Sequence, residues 1–192
     1  MATKTTKKEV KQTPVDTVEK TVEMPVKERP VKKQSVRRIP LDTEVPCMSN
    51  VKSPLVYIST RMNGLGADWD EFGSIQYLDI RELMQMRNTQ KRFFDDNWIV
   101  IKDTDDGEYT AEDIYKFLRV DDKYGDYYDA DNIDNFFGLT PTQMKEKVEK
   151  LSSGMKELLT IVALDKFETG EIDSIKTKEA IKEALGIKDE EE

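Results

Sequence analysis

Asp103, Asp105, Asp106 and Glu108 crowd around Gly107, and Asp121, Asp122, Asp126, Asp129, Asp131 and Asp134 follow a short way along the chain. Carboxylates at that density are the material of a divalent-cation loop, which wants acidic or amide oxygens at its first, third and fifth positions and glycine at its sixth. With Gly107 sixth, Lys102 falls first and Thr104 third; with Gly170 sixth, Asp165 is first but Phe167 is third and Lys176 twelfth. Both registers fail and the 121–134 stretch lacks the glycine spacing, so these segments read as solvated acidic loops and no metal ligand is assigned. A pair of carboxylates also suffices for general acid and base work. Among 39 acidic residues, however, close neighbours arise from abundance, and nothing in the spacing marks a pair. Gly64-Leu65-Gly66 is the only GxG; no third glycine opens a helix behind it, and a turn accounts for it better than a phosphate cradle.

What is missing bounds the chemistry further. The chain has no histidine, which removes Ser-His-Asp and Cys-His nucleophilic machinery and imidazole metal sites. Its one cysteine, Cys47, removes an intrachain disulfide and any multi-cysteine cluster within one copy. The longest mainly apolar stretch, Leu158 to Leu164, is far below membrane-spanning length, and no apolar run follows the N-terminal lysines, so neither a membrane anchor nor a signal peptide is expected. The chain therefore reads as no enzyme, with no catalytic residue and no cofactor.

Charge points instead to binding. Residues 1–40 hold eleven lysines and arginines against five acids, a balance of +6, while the other 152 residues hold 19 against 34, a balance of −15. Lys27, Arg29, Lys32, Lys33, Arg37 and Arg38 are the candidate partner-binding cations of this arm. They suit phosphates, and binding through them would weaken steeply with salt. The arm has no aromatic residue to stack on bases, though, so it suits equally an acidic protein surface, including the body of a neighbouring copy. Pro14-Val15, Pro25-Val26 and Pro30-Val31 favour extended or polyproline backbone, and with so little apolar surface the arm alone is expected to be extended or disordered.

The elements that must position the rest begin near Glu44. Val45–Val51 and Pro54–Thr60 have strand character with a short polar gap, which predicts a hairpin, and Trp69–Tyr77 predicts a second strand pair around Phe72-Gly73. Asp79 caps a short helix, with Glu82 three residues on and Leu83 and Met86 inward; Trp98-Ile99-Val100-Ile101 closes the module as a strand. Thr110 and Asp113 form a helix start with Ile114, Phe117 and Leu118 on one side, and Thr140-Pro141-Thr142-Gln143 starts another. Ser152-Ser153-Gly154 either separates two helices or bends one, and Ser174–Leu185 is a last helix with Ile175, Ile181 and Leu185 inward and Gly186 as its stop. The fold class is α+β: an extended basic arm over 1–40, a small twisted sheet or partly open barrel with one helix over 41–105, and an acidic helical region over 106–192. Most of Tyr57, Trp69, Phe72, Tyr77, Phe93, Phe94 and Trp98 is core; Trp69, Phe72 and Trp98 are the candidates for exposed anchors at a protein interface.

One resemblance runs through these segments. Val56-Tyr57-Ile58-Ser59, Trp69-Asp70-Glu71-Phe72-Gly73-Ser74, Glu82-Leu83, Met86-Arg87-Asn88 and Phe93 through Ile101 appear in an order that resembles small virion proteins of tailed bacteriophages infecting low-GC Gram-positive bacteria. Leu151-Ser152-Ser153-Gly154-Met155-Lys156 and Gly170-Glu171-Ile172-Asp173-Ser174-Ile175 extend it, so that it covers about residues 45–187. It is a likeness of pattern without a catalytic motif and carries over no functional residue. It implies a structural or assembly protein of the capsid, connector or tail, made in the bacterial host cytoplasm and incorporated into the virion, with other virion proteins as partners in a symmetric assembly. The alternative is a regulatory protein that binds nucleic acid through the arm.

Overall fold

The structure is a computed structural model that describes residues 38–61, 64 and 66–188. The expectations for the arm fall outside these residues except at Arg38–Pro40, where Arg38 is exposed and Ile39 is buried. The described residues form a mixed α+β structure with two small open antiparallel sheets followed mostly by helices.

Strand β1 (Glu44–Ser49) lies in the middle of a three-stranded sheet, between β4 (Ile75–Asp79) and β5 (Ile99–Ile101). Its register runs from Glu44 opposite Asp79 to Met48 opposite Ile75 on one side, and from Cys47 opposite Ile101 to Ser49 opposite Ile99 on the other. A central strand is covered on both faces, which is why Val45 to Ser49 are all buried. Pro46 is tolerated there because its missing N–H faces the point where β5 ends: Lys102 N donates to Pro46 O and no return bond is required. Strands β2 (Leu55–Ile58) and β3 (Gly66–Trp69) make a separate hairpin in which Leu55, Tyr57, Ala67 and Trp69 point inward.

Both strand pairings expected from sequence adjacency are therefore corrected. β1 does not pair with β2, because Asn50 is claimed by the far side: its N–H donates to Trp98 O and its amide nitrogen to Asn97 O and Tyr128 O. β3 does not pair with β4, because Gly73 N donates to Ser49 O and Ser49 N to Ser74 O, drawing the start of β4 onto β1. The two sheets meet through a side chain, Gln76 Nε2 donating to Asp68 O at 2.7 Å.

Helix α1 (Ile80–Thr89) starts where expected, Asp79 Oδ1 accepting from Glu82 N, and α2 (Arg92–Asp95) is a single turn leading to Asn97, which is buried with a left-handed φ of 54°. Helix α3 (Ala111–Leu118) carries the Thr110/Asp113 capping box and stops at Arg119, also left-handed. After the short α4 (Asp134–Phe137), α5 (Pro141–Lys150) begins with the Thr140/Gln143 capping box, and α6 (Ser153–Glu168) is a separate helix capped by Ser152. Helix α7 (Ile175–Leu185) ends at Gly186, φ 70°, as the sequence required. Ile175 is corrected: at the first position of α7 it is 74% exposed, because the helix meets its neighbours further along, through Ile181.

Two hydrophobic clusters result. The first joins Ile39, both sheets, α1 and α3 as far as Tyr124; the second joins Ile133, Phe136 and the inner faces of α5, α6 and α7. Tyr127 packs on both, and Lys102 reaches from β5 to Asp129 at 2.8 Å and Asp131 at 2.7 Å. Helix α3, grouped by sequence with the helical region, belongs to the sheet cluster. Beyond β5, the sheet edge is occupied by two tyrosines: Ile101 N donates to Tyr115 Oη at 2.7 Å, and Tyr124 Oη donates to Ile99 O at 2.8 Å.

Candidate docking surfaces

The acidic side chains are bound up in local structure. Asp106 Oδ1 accepts from Thr104 Oγ1 and Glu108 N, Asp103 Oδ1 accepts from Ala111 N at the start of α3, and Asp105 accepts from Tyr77 Oη. Asp129 is buried against Lys102, and its carboxylate also accepts from Asp131 N. Among the described residues no group of three or more acids or cysteines is placed to hold a metal ion. Cys47 is buried in β1, and burial pushes its thiol far up, away from thiolate chemistry.

Glu82 is the one buried carboxylate on α1, and it fastens the small hairpin to that helix. Tyr57 Oη donates to it at 2.8 Å and Arg61 Nε at 2.9 Å, with Arg61 also 3.4 Å from Asp79. Desolvation pushes the Glu82 pKa up, but hydrogen bonds from Ser59, Tyr57 and Arg61 and the guanidinium charge outweigh it and hold the group below its ordinary value. A depressed carboxylate stabilises the fold above the ordinary range near pH ~4.3 and loses that contribution as pH falls through its own lower value. Glu82→Gln should therefore lower the urea midpoint at pH 7 and lose less than the parent between pH 5 and pH 3. An equal loss in both proteins would mean that Glu82 carries no such role.

Among the aromatic candidates, Trp69 is corrected. It is fully buried, with Nε1 donating to Cys47 O at 2.8 Å, so it is core and offers nothing to a partner. Phe72 is half-buried against the second cluster, with Lys52 Nζ 5.4 Å from its ring. Trp98 is half-buried under the Arg92 guanidinium, 4.5 Å from the ring, and lines an apolar cleft of roughly 380 Å³ with Val51, Leu55, Leu158 and Ile161. Gly154 also lines it and, having no Cβ, lets the first turn of α6 lie against Asp96. Ile161 and Leu164, each 42% exposed, lie on the opposite side of α6 from its inward Met155, Leu159 and Val162. A helix apolar on both sides is unusual at a solvated surface.

Two further clefts have opposite character. Ala111, Glu112, Tyr115, Lys116, Tyr124 and Tyr127 line one of about 470 Å³, in which the Tyr115 and Tyr124 rings stack at 4.0 Å and Tyr127 meets Tyr124 edge-on at 5.6 Å. Arg87, Lys91, Arg119 and Lys123 line another, beside Asp95 and Asp122; Arg87 there donates to Leu118 O at 2.6 Å, and Lys123 is 3.7 Å from Asp95. Sequence reasoning missed both. The tyrosine set was visible only as a tyrosine- and aspartate-rich connection after α3, and its partner Tyr115 lies on a different element. Lys27, Arg29, Lys32, Lys33 and Arg37 lie outside the described residues, and Arg38 is exposed at the root of the arm.

No protein-family model, curated protein or solved structure matches the chain.

Proposed function

We propose that this chain is a non-enzymatic docking subunit, a structural or assembly component of a tailed-phage particle that seats on capsid, connector or tail subunits while its basic arm clamps neighbours. The observation that carries the docking role is the Trp98 cleft with the exposed Ile161 in its lining and the exposed Leu164 three residues on: apolar surface on a helix whose other side is already packed. The place in a virion rests on the resemblance in sequence pattern. A symmetric particle multiplies modest contacts, so a subunit with one apolar seat and one basic arm suits such a setting.

The test is incorporation into purified particles, read by mass spectrometry. Deleting residues 1–37 should leave the body folded and reduce incorporation, and Ile161→Asp should reduce it independently. Normal incorporation of both variants would overturn the proposal.

The cationic cleft of Arg87, Lys91, Arg119 and Lys123 favours a second reading, in which arm and cleft together hold a nucleic acid. That reading requires a steep salt dependence, with log affinity falling by about 0.9 per phosphate neutralised for each decade of salt. Neutral substitutions at Lys32, Lys33, Arg37 and Arg38 should then abolish binding.

A further inference from the structure

We infer that the tyrosine cleft beside α3 is the seat for the Pro-Val segment Met24–Lys33 of a second copy's arm; this rests on the reading of the arm as a clamp and names the surface it grips.

The cleft has the two properties such a segment needs. Its wall is aromatic: Tyr115 and Tyr124, buried and stacked on each other, turn their hydroxyls inward to Ile101 and Ile99, so that ring carbon floors the cleft and the half-buried Tyr127 is the ring a partner would meet. Aromatic-lined grooves take extended proline-containing chain, which has little conformational freedom left to lose and packs its rings on aromatic faces. Its charge is also of the right sign. Glu112 and Asp121 line the cleft and are exposed, Asp113 lies near Lys116, and the charges of Asp103, Asp129 and Asp131 act on Tyr127. Against these six carboxylates stand two cations, Lys116 paired with Glu112 and Lys102 paired with Asp129 and Asp131, which leaves a balance of −4.

The segment supplies the complement. Pro25-Val26 and Pro30-Val31 repeat around Lys27 and Arg29, and Lys32 and Lys33 follow, so four cations accompany one acid, Glu28. An arginine or lysine over a tyrosine face adds a cation–π contact to the ion pairs. The Trp98 cleft is the poorer seat for this segment, since its single aromatic ring is already covered by Arg92, its other walls are mainly aliphatic, and its charged lining, Lys52 and Glu157, is balanced.

The experiment uses the full chain. A photo-crosslinking amino acid at position 116 is placed in one preparation, which is mixed with an isotopically heavy second preparation. Cross-links should join the cleft of one isotope to a peptide within 24–33 of the other. Glu112→Lys with Asp121→Lys, both exposed positions, should cut the yield about tenfold, the loss of one or two good contacts. Lys32→Glu with Lys33→Glu in the second copy should restore it. Cross-links confined to one isotope would place the arm on its own body, and cross-links elsewhere, or none within 24–33, would remove the cleft as the seat; either overturns the inference. The clamp reading fails separately: if deleting residues 1–37 leaves particle incorporation normal, there is no clamp, whereas arm-dependent incorporation without these cross-links sinks the cleft alone.

Discussion

Trp69→Ala should cost about 3–5 kcal/mol, a large part of the ~5–15 kcal/mol that a domain of this size has to lose. Trp69 is fully buried, lies opposite Leu55 in the β2–β3 hairpin, and reaches across to the middle strand of the other sheet through its bond to Cys47 O. Its ring also packs at 6.5 Å from Phe93, which in turn meets Tyr57 and Trp98 edge-on. Removing it empties the middle of the cluster that joins the two sheets, which the Gln76 side chain also bridges. Trp69→Phe separates the contributions: it keeps most of the apolar area and loses the indole donor, so about 1 kcal/mol plus a smaller cavity cost is expected. Urea denaturation at pH 7 measures both. A change below about 0.5 kcal/mol for the alanine variant, typical of surface positions, would refute the burial of Trp69.

Gly154→Ala should be nearly as damaging for a residue that gains one methyl group. A Cβ at this position would lie 2.2 Å from Asp96 O and 2.9 Å from Asp96 Cβ, so either the start of α6 or the Asp96–Asn97 turn must move. Neither moves freely. Ser153 Oγ donates to Asp96 Oδ1 at 2.7 Å, and Asn97 is held in its left-handed conformation by bonds from Asn50 and to Lys123 O. Overpacking of this kind costs about 1–3 kcal/mol. Because Gly154 also lines the Trp98 cleft, the same substitution should disturb the proposed docking out of proportion to stability. Gly125→Ala, where a Cβ meets nothing within 4 Å, is the control and should change stability by less than about 0.5 kcal/mol. If the two variants unfold alike, the close contact between α6 and Asp96 is absent in solution.

Local signals were legible and partners were not. The caps at Asp79, Thr110, Thr140 and Gly186 lie within a few residues of the helices they bound, so composition alone located them. The positions of β2 and β5 were legible too, because Leu55-Val56-Tyr57-Ile58 and Trp98 to Ile101 are strong β-formers, whereas β3 begins at Gly66, in a segment that reads as a turn. Their pairing depends on where Asn50 and Gly73 send the chain, and the groups that decide it, at Trp98, Tyr128 and Ser49, are distant in sequence. Trp69, Phe72 and Trp98 share a residue class, yet only the fold separates a core tryptophan from one at the mouth of a cleft. Glu82 looked like a capping acid; its carboxylate is instead spent on Tyr57 and Arg61, which no helix-local rule anticipates.

The tyrosine hydroxyls on β5 bear on what this edge can accept from another chain. A bare strand edge is a template that accepts the next strand, and the next, without any geometry that ends the series. With Tyr115 and Tyr124 occupying the outward groups of Ile101 and Ile99, that route to a fibre is closed at β5. Growth by side-chain surfaces is different in kind, because each contact fixes an angle and a fixed angle can close into a ring or shell of definite size. For a subunit with the proposed assembly role, many copies can then be made and growth still stop at a set number.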